Sequence, residues 1–264
     1  MRIYIIFLIL MSLSMGAFGQ TLFKSIAMKN SKLLNTDDVG NVYVVLKDRS
    51  VIKYNDQGDS VGLYNNITLG PIQAIDAYNT LMVLLYYPNF NQIVLLDRLM
   101  TQQSSIDLRK KNLFQVSGIG LAIDNTILVY DITTAKLMRM NDQLNVLMQS
   151  NDLRQELEQV IAPEQILDKD SLIYLITPNI GIHVFNKMFR YLQFVPIKDI
   201  DLVQKFGNQL VYLAGDKLKI INVHTFEQTF MSIPKIDNEK IVDVKLSRNY
   251  MYVLTNKSLK MFTY

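Results

Sequence analysis

Two histidines, no cysteine and no tryptophan leave little material for a reactive centre in a chain of 264 residues. His183 and His224 stand in or beside short apolar runs, and neither has a recognisable nucleophile near it. No Gly-x-Ser-x-Gly occurs, so acyl-transfer chemistry of the triad type has no starting point. A metal site needs several ligands in convergent spacing, and without cysteine two isolated histidines do not supply it. Asp37-Asp38 before Gly40 lacks the alternating oxygens of a calcium loop and reads as a turn that satisfies its own backbone. Asp168 and Asp170 fall at a turn between two apolar runs, where local sequence does not place them in a cleft. Gly118-Ile119-Gly120 precedes a β-run, whereas a dinucleotide loop follows one. The expectation is a protein with no catalytic residues, cofactor or metal.

Surface recognition is better provided for. Tyr86-Tyr87-Pro88-Asn89-Phe90-Asn91 is an aromatic turn, and Arg109-Lys110-Lys111 is a compact basic cluster. Asn151 to Ile161 opens on cap-type residues and places Leu153, Leu157, Val160 and Ile161 on one face, which predicts a short helix carrying Arg154. Tyr, Phe and Arg are enriched in protein interfaces, so Tyr86, Tyr87, Phe90, Arg109, Lys110, Lys111 and Arg154 form the candidate contact set.

What must position these residues is a repeat. The most apolar β-runs begin at Asn41, Thr80, Thr126, Ser171, Gln209 and Tyr250, spacings of 39, 46, 45, 38 and 41 residues. That is the period of a four-stranded propeller blade, about 40 to 45 residues in the best-known family. Further runs follow each anchor, such as Gln92-Ile93-Val94-Leu95-Leu96-Asp97 and Lys217-Leu218-Lys219-Ile220-Ile221-Asn222, bounded by turn residues. The last unit stops at Tyr264 with three strands, and Thr21 to Met28 is a spare β-run at the other end. An all-β, six-bladed propeller closed by the N-terminal strand, with one inserted helix, accounts for both ends and removes a sheet edge. The three candidate segments then map to one face, that of the loops between second and third strands and between blades. Tyrosines recurring in the anchor runs, Tyr43, Tyr130, Tyr174, Tyr212 and Tyr252, read as packing between blades.

Met1-Arg2 followed by an apolar run, with Ala17-Phe18-Gly19 before Gln20, predicts a signal peptide over residues 1–19, cleaved after Gly19, and one domain over 20–264. The run is short for a bilayer span, which takes about 20 residues, and no comparable segment follows. Without cysteine there is no lipid attachment point at the new N-terminus. Removing Arg2 takes the net charge from +3 to +2, which gives no reason to invoke nucleic acid or an anionic membrane. A periplasmic protein is expected, with secretion as second choice, monomeric by itself and active through a protein partner.

Asp38-Val39-Gly40-Asn41-Val42-Tyr43-Val44, Val51-Ile52-Lys53-Tyr54 and Gln57-Gly58-Asp59 resemble the NHL-type six-bladed propeller repeat, from which the later copies depart at Asn79-Thr80, Asn125-Thr126 and Asp170-Ser171. Leu85-Tyr86-Tyr87-Pro88-Asn89-Phe90, Val94-Leu95-Leu96-Asp97, Val129-Tyr130-Asp131 and Gly181 to Asn186 resemble small exported propellers of Bacteroidota, and the signal ending in Phe-Gly-Gln is similar to theirs. That group takes in the plug subunit at the periplasmic end of the type nine secretion translocon. The resemblance implies an outer-membrane barrel as partner and no catalytic residues. The alternative is a lactonase-like propeller whose central channel binds a small ligand or calcium, which needs inward carboxylates or amides at the starts of the first strands.

Overall fold

Six four-stranded antiparallel sheets follow one another along the chain and close into a ring. The computed structural model describes residues 20–264 apart from 199, 201, 224 and 226, so the expected signal peptide and His224 lie outside the described residues. The first five blades are consecutive: their innermost strands are Ser31–Thr36, Ala74–Asp76, Val116–Leu121, Gln165–Lys169 and Val203–Phe206. The sixth runs inside to outside as Ile241–Leu246, Tyr250–Thr255, Ser258–Thr263 and then Thr21–Ala27 from the other end of the chain. Thr21 pairs with Thr263 and Ala27 with Ser258, so the predicted closure by the N-terminal strand is observed. No helix among the described residues is long and apolar enough to cross a membrane.

The anchor runs are the second strands, buried on both faces, which is why they read as continuous apolar segments. The apolar core is divided into six clusters, each between two neighbouring blades. Leu84, Ile93, Ile119 and Val129 join blades two and three, for example, and Val211, Leu218, Val244 and Val253 join five and six. Tyr43, Tyr130, Tyr174, Tyr212 and Tyr252 lie within these wedges, as predicted.

The turns between third and fourth strands share one device. Asn55 Oδ1 accepts from Gln57 N and Asp59 N, Asp97 Oδ1 from Leu99 N and Thr101 N, and Asn141 Oδ1 from Gln143 N and Asn145 N. Asn186 Oδ1 does the same for Met188 N and Arg190 N. The fourth residue of each turn is left-handed. Gly58 fills that place in blade one at φ 73, but Met100, Leu144 and Phe189 fill it elsewhere at φ 67, 63 and 59. Those side chains are buried, so packing offsets a backbone conformation that costs a non-glycine residue about 1–2 kcal/mol. Asp-x-Gly is therefore visible in one blade while its structural equivalent persists in three more.

Innermost strands have one unpaired edge facing the axis, and side chains of the adjacent blade occupy it. Gln165 Nε2 donates to Val203 O and its Oε1 accepts from Val203 N, both at 2.9 Å. Gln204 clamps Leu246 in the same way, at 2.7 and 2.8 Å, and also donates to Thr36 Oγ1. Asn35 Nδ2 donates to Ile75 O, and Asp76 Oδ2 accepts from Leu121 N. Between blades three and four the strands approach more closely: a Cβ on Gly120 would sit 2.4 Å from Ile166 O, and one on Gly118 2.7 Å from Pro163 O. Those glycines serve packing, in agreement with the rejection of a phosphate loop.

Candidate functional site

Two regions remain once the structural roles are assigned: the face predicted to carry the contact set, and the axial channel. On that face, Tyr87 ends a strand, Pro88–Phe90 forms a single 3-10 turn, and Asn91 closes it in the left-handed conformation. Asn91 Nδ2 then donates to Phe114 O at 2.8 Å, and Leu108 N donates to Asn91 O. The aromatic turn and the connection carrying the basic cluster are thus tied together. Arg109, Lys110 and Lys111 lie in a 3-10 turn capped by Asp107, and Arg109 is paired back to Asp107 at 2.8 Å. Arg154 is likewise paired to Asp152, the cap of its helix. Lys110 and Lys111 are exposed.

The expectation that Tyr86 and Tyr87 are exposed is corrected. Both are buried, at 1% and 0% exposure, because they still belong to the second strand Met82–Tyr87 with core on both sides. The Tyr86 hydroxyl is spent on Asn91 Oδ1 and Val116 O. Phe90 is exposed at 40%. The predicted helix is also shorter than expected. It covers Leu153–Leu157 and stops where Glu158 turns left-handed at φ 53, so Ile161 is buried while Val160 points outward. Sequence reading missed Phe114, Ile67 and Val160, all more exposed than Phe90 and all in connections or turns of this face. The signal for Ile67 was a bulky apolar residue between Asn66 and Thr68, whereas Phe114 directly follows the buried Leu113 and gave no such signal.

His183 is a core residue, as expected. It is buried, stacks on Phe194 at 4.7 Å between ring centroids and contacts Gln159 Nε2 at 2.7 Å. Burial lowers its pKa to about 4, so the imidazole is neutral at physiological pH. Asp168 lies within the strand rather than the predicted turn, and it diverges from Asp170. Asp168 turns away from the axis to bind Arg139 at 2.9 Å and Lys187, while Asp170 is paired with Lys205 Nζ at 2.6 Å. Asp37 accepts from Val39 N, Asn41 N and Tyr43 OH, the predicted self-satisfied turn.

The axial channel encloses about 810 Å³. Its wall combines apolar side chains with charges of both signs. Asp37, Asp38, Asp76, Glu164, Asp170 and Asp243 share it with Lys32, Lys169, Lys205, Lys245 and Arg248. Most of the wall's carboxylates stand near the ends of the first strands, not at their starts as the calcium alternative requires. Among the described residues no three His, Asp or Glu side chains converge to hold a metal. Lys245 Nζ is paired with Asp243 at 2.9 Å. Lys169 is as buried as Lys245, at 4% exposure, but differs from it and from Lys205 in its partners: its Nζ lies over the Tyr78 ring, and no hydrogen-bond acceptor reaches it. Burial pushes its pKa down to about 8 against the attraction of Asp76, Asp38 and Asp170.

No protein-family model matches the chain, and no curated protein matches its sequence. Solved structures do match. A catalytically inactive virginiamycin B lyase from Staphylococcus aureus with quinupristin shares 12% identity over 91% of this chain and 99% of its own, with a TM-score of 0.65. The Cps50 (Swd1) β-propeller domain of Myceliophteria thermophila is 7% identical over 93% and 100%, TM-score 0.63. BamB from Moraxella catarrhalis is 9% identical over 93% and 100%, TM-score 0.50. At such identities the likeness is one of fold: this chain is a β-propeller.

Proposed function

We propose that the protein is a non-enzymatic, exported propeller that binds a protein partner through the face bearing Phe90 and the basic cluster. One observation carries the reading. Along consecutive connections of blades one to four, Ile67, Phe90, Phe114 and Val160 are exposed together with Lys110 and Lys111. An apolar row fringed by cations is the composition of an interface core with a polar rim. Its backbone is held firmly by the Asn91 bridge, so little ordering cost accompanies docking. The commitment of His183 to Gln159 and Phe194 supports the absence of catalysis. Localisation in the periplasm rests on the signal peptide expected over residues 1–19. The sharpest form of the reading, a plug or accessory subunit of an outer-membrane translocon of the type nine kind, rests on the resemblance of the aromatic turn and its neighbouring strands.

The test is affinity capture of the tagged protein with the outer-membrane fraction, followed by binding measurements on the recovered barrel. Phe90→Ala with Phe114→Ala is expected to weaken binding about tenfold or more, as loss of aromatic anchors does. Lys110→Glu with Lys111→Glu is expected to slow association. Unchanged binding by both double variants would rule this face out.

A further inference from the structure

The channel wall contains a group that the fold does not use. Lys169 extends from the end of the innermost strand of blade four and meets side chains of blades one, two and five. Three carboxylates attract it, yet each is engaged elsewhere. Asp76 accepts from Leu121 N at 2.9 Å and Tyr78 N at 3.2 Å, Asp170 holds Lys205 at 2.6 Å, and Asp38 accepts from the Tyr78 hydroxyl. Lys205 also donates to Gly207 O, so the second cation of the group is satisfied. Lys169 Nζ alone is left without an acceptor, 96% of its residue surface being buried. A buried ammonium without a hydrogen-bond partner is costly, and folds keep one where something else completes it.

We propose that the axial channel is a binding site for a small ligand bearing a carboxylate, which supplies the missing acceptor to Lys169. The surroundings choose the charge. The cost of stripping water from an anion grows with the square of its charge while its attraction to Lys169 grows only in proportion, so beside Asp38, Asp76 and Asp170 a monoanion enters at lower cost than a dianionic phosphate. Neutral acceptors such as amides would satisfy the hydrogen bond without the charge-assisted gain. The Tyr78 ring, anchored through Asp38, lies over Nζ, so the incoming carboxylate takes the place of the ring over the ammonium. The cavity, about 810 Å³, lies within the range of small-molecule sites.

The experiment follows the Lys169 side-chain resonance of the purified protein by NMR, assigned by its loss in Lys169→Met, while N-acetylglycine is titrated in. The expected result is a saturable shift of that resonance and a rise in the pH at which it titrates, because a bound carboxylate favours the ammonium. N-acetylglycinamide and inorganic phosphate are the comparison probes, and both are expected to leave it at least tenfold less responsive. A resonance unmoved by N-acetylglycine at about 50 mM, enough to fill more than half of a site worth about 2–3 kcal/mol, overturns the site. An equal response to phosphate or to the amide overturns the carboxylate assignment. Failure here would leave the partner-binding face untouched, since the residues of the two regions do not overlap.

Discussion

Lys169→Met is expected to stabilise the protein, against the usual direction for a substitution in a channel wall. The lysine pKa falls from the ordinary 10.5 to about 8 in the folded chain, burial outweighing the attraction of Asp76, Asp38 and Asp170. At 1.36 kcal/mol per pKa unit, a depression of that size means that keeping the charge costs about 3 kcal/mol of stability. The attraction of the carboxylates is already included in that figure. The sign follows from proton counting. Between pH 8 and 10.5 the unfolded chain holds a proton that the folded chain has released, so stability rises with pH over that window. Below about pH 8 both states are protonated and the full penalty stands. Methionine matches the lysine stem without its charge, so the variant should gain about 3 kcal/mol at pH 7, raising Tm by roughly 6–12 °C for a domain of this size. The gain should fade towards pH 11. Denaturant titrations of both proteins at pH 7, 9 and 10.5 read it directly. A variant no more stable at pH 7, or one whose advantage is independent of pH, would refute the reasoning that Lys169 is an uncompensated buried charge.

Gln204→Leu should cost about 2–3 kcal/mol in chemical denaturation, since the side chain satisfies Leu246 N and O and contacts Thr36 across three blades. Gly120→Ala should destabilise by about 1–3 kcal/mol, because its Cβ meets the backbone oxygen of Ile166 at 2.4 Å and blades three and four must part. At Met100 the usual order of small residues should invert. Both Met100→Ala and Met100→Gly lose the buried side chain, but glycine relieves the left-handed φ of 67, so the glycine variant should be the more stable by about 1 kcal/mol. Equal stability of the two would show that the turn carries no strain.

Period and end-matching were legible because they depend on pattern. Second strands buried on both faces must be apolar whichever residues compose them, and the leftover run Thr21 to Met28 had one vacant edge to fill, beside Ser258–Thr263. The channel was not legible. Gln165, Gln204, Asp76 and Lys169 each stand in a different part of the sequence as an ordinary polar residue near the start or end of a run, and only ring closure brings them to one axis. Exposure was legible by halves. Tyr86, Tyr87 and Phe90 are indistinguishable as aromatic residues in a row, but two lie before the proline in the strand and one beyond it in the turn. Proline removes a ladder donor and ends pairing, so the boundary between buried and exposed could have been placed at Pro88.

The same logic separates structural from functional polarity in the wall of the channel. An open strand edge demands hydrogen-bonding groups at the axis in any propeller, and Asn35, Gln165 and Gln204 meet that demand with each amide engaged. Asp76 does so too while also receiving Tyr78 N. A leucine or methionine at position 169 would satisfy the edge equally well, since Lys169 makes no such bridge. Its charge is therefore a cost that ring closure does not explain. Selection tolerates destabilising residues where activity requires them, and position 169 lies in a cavity large enough for a ligand to reach it.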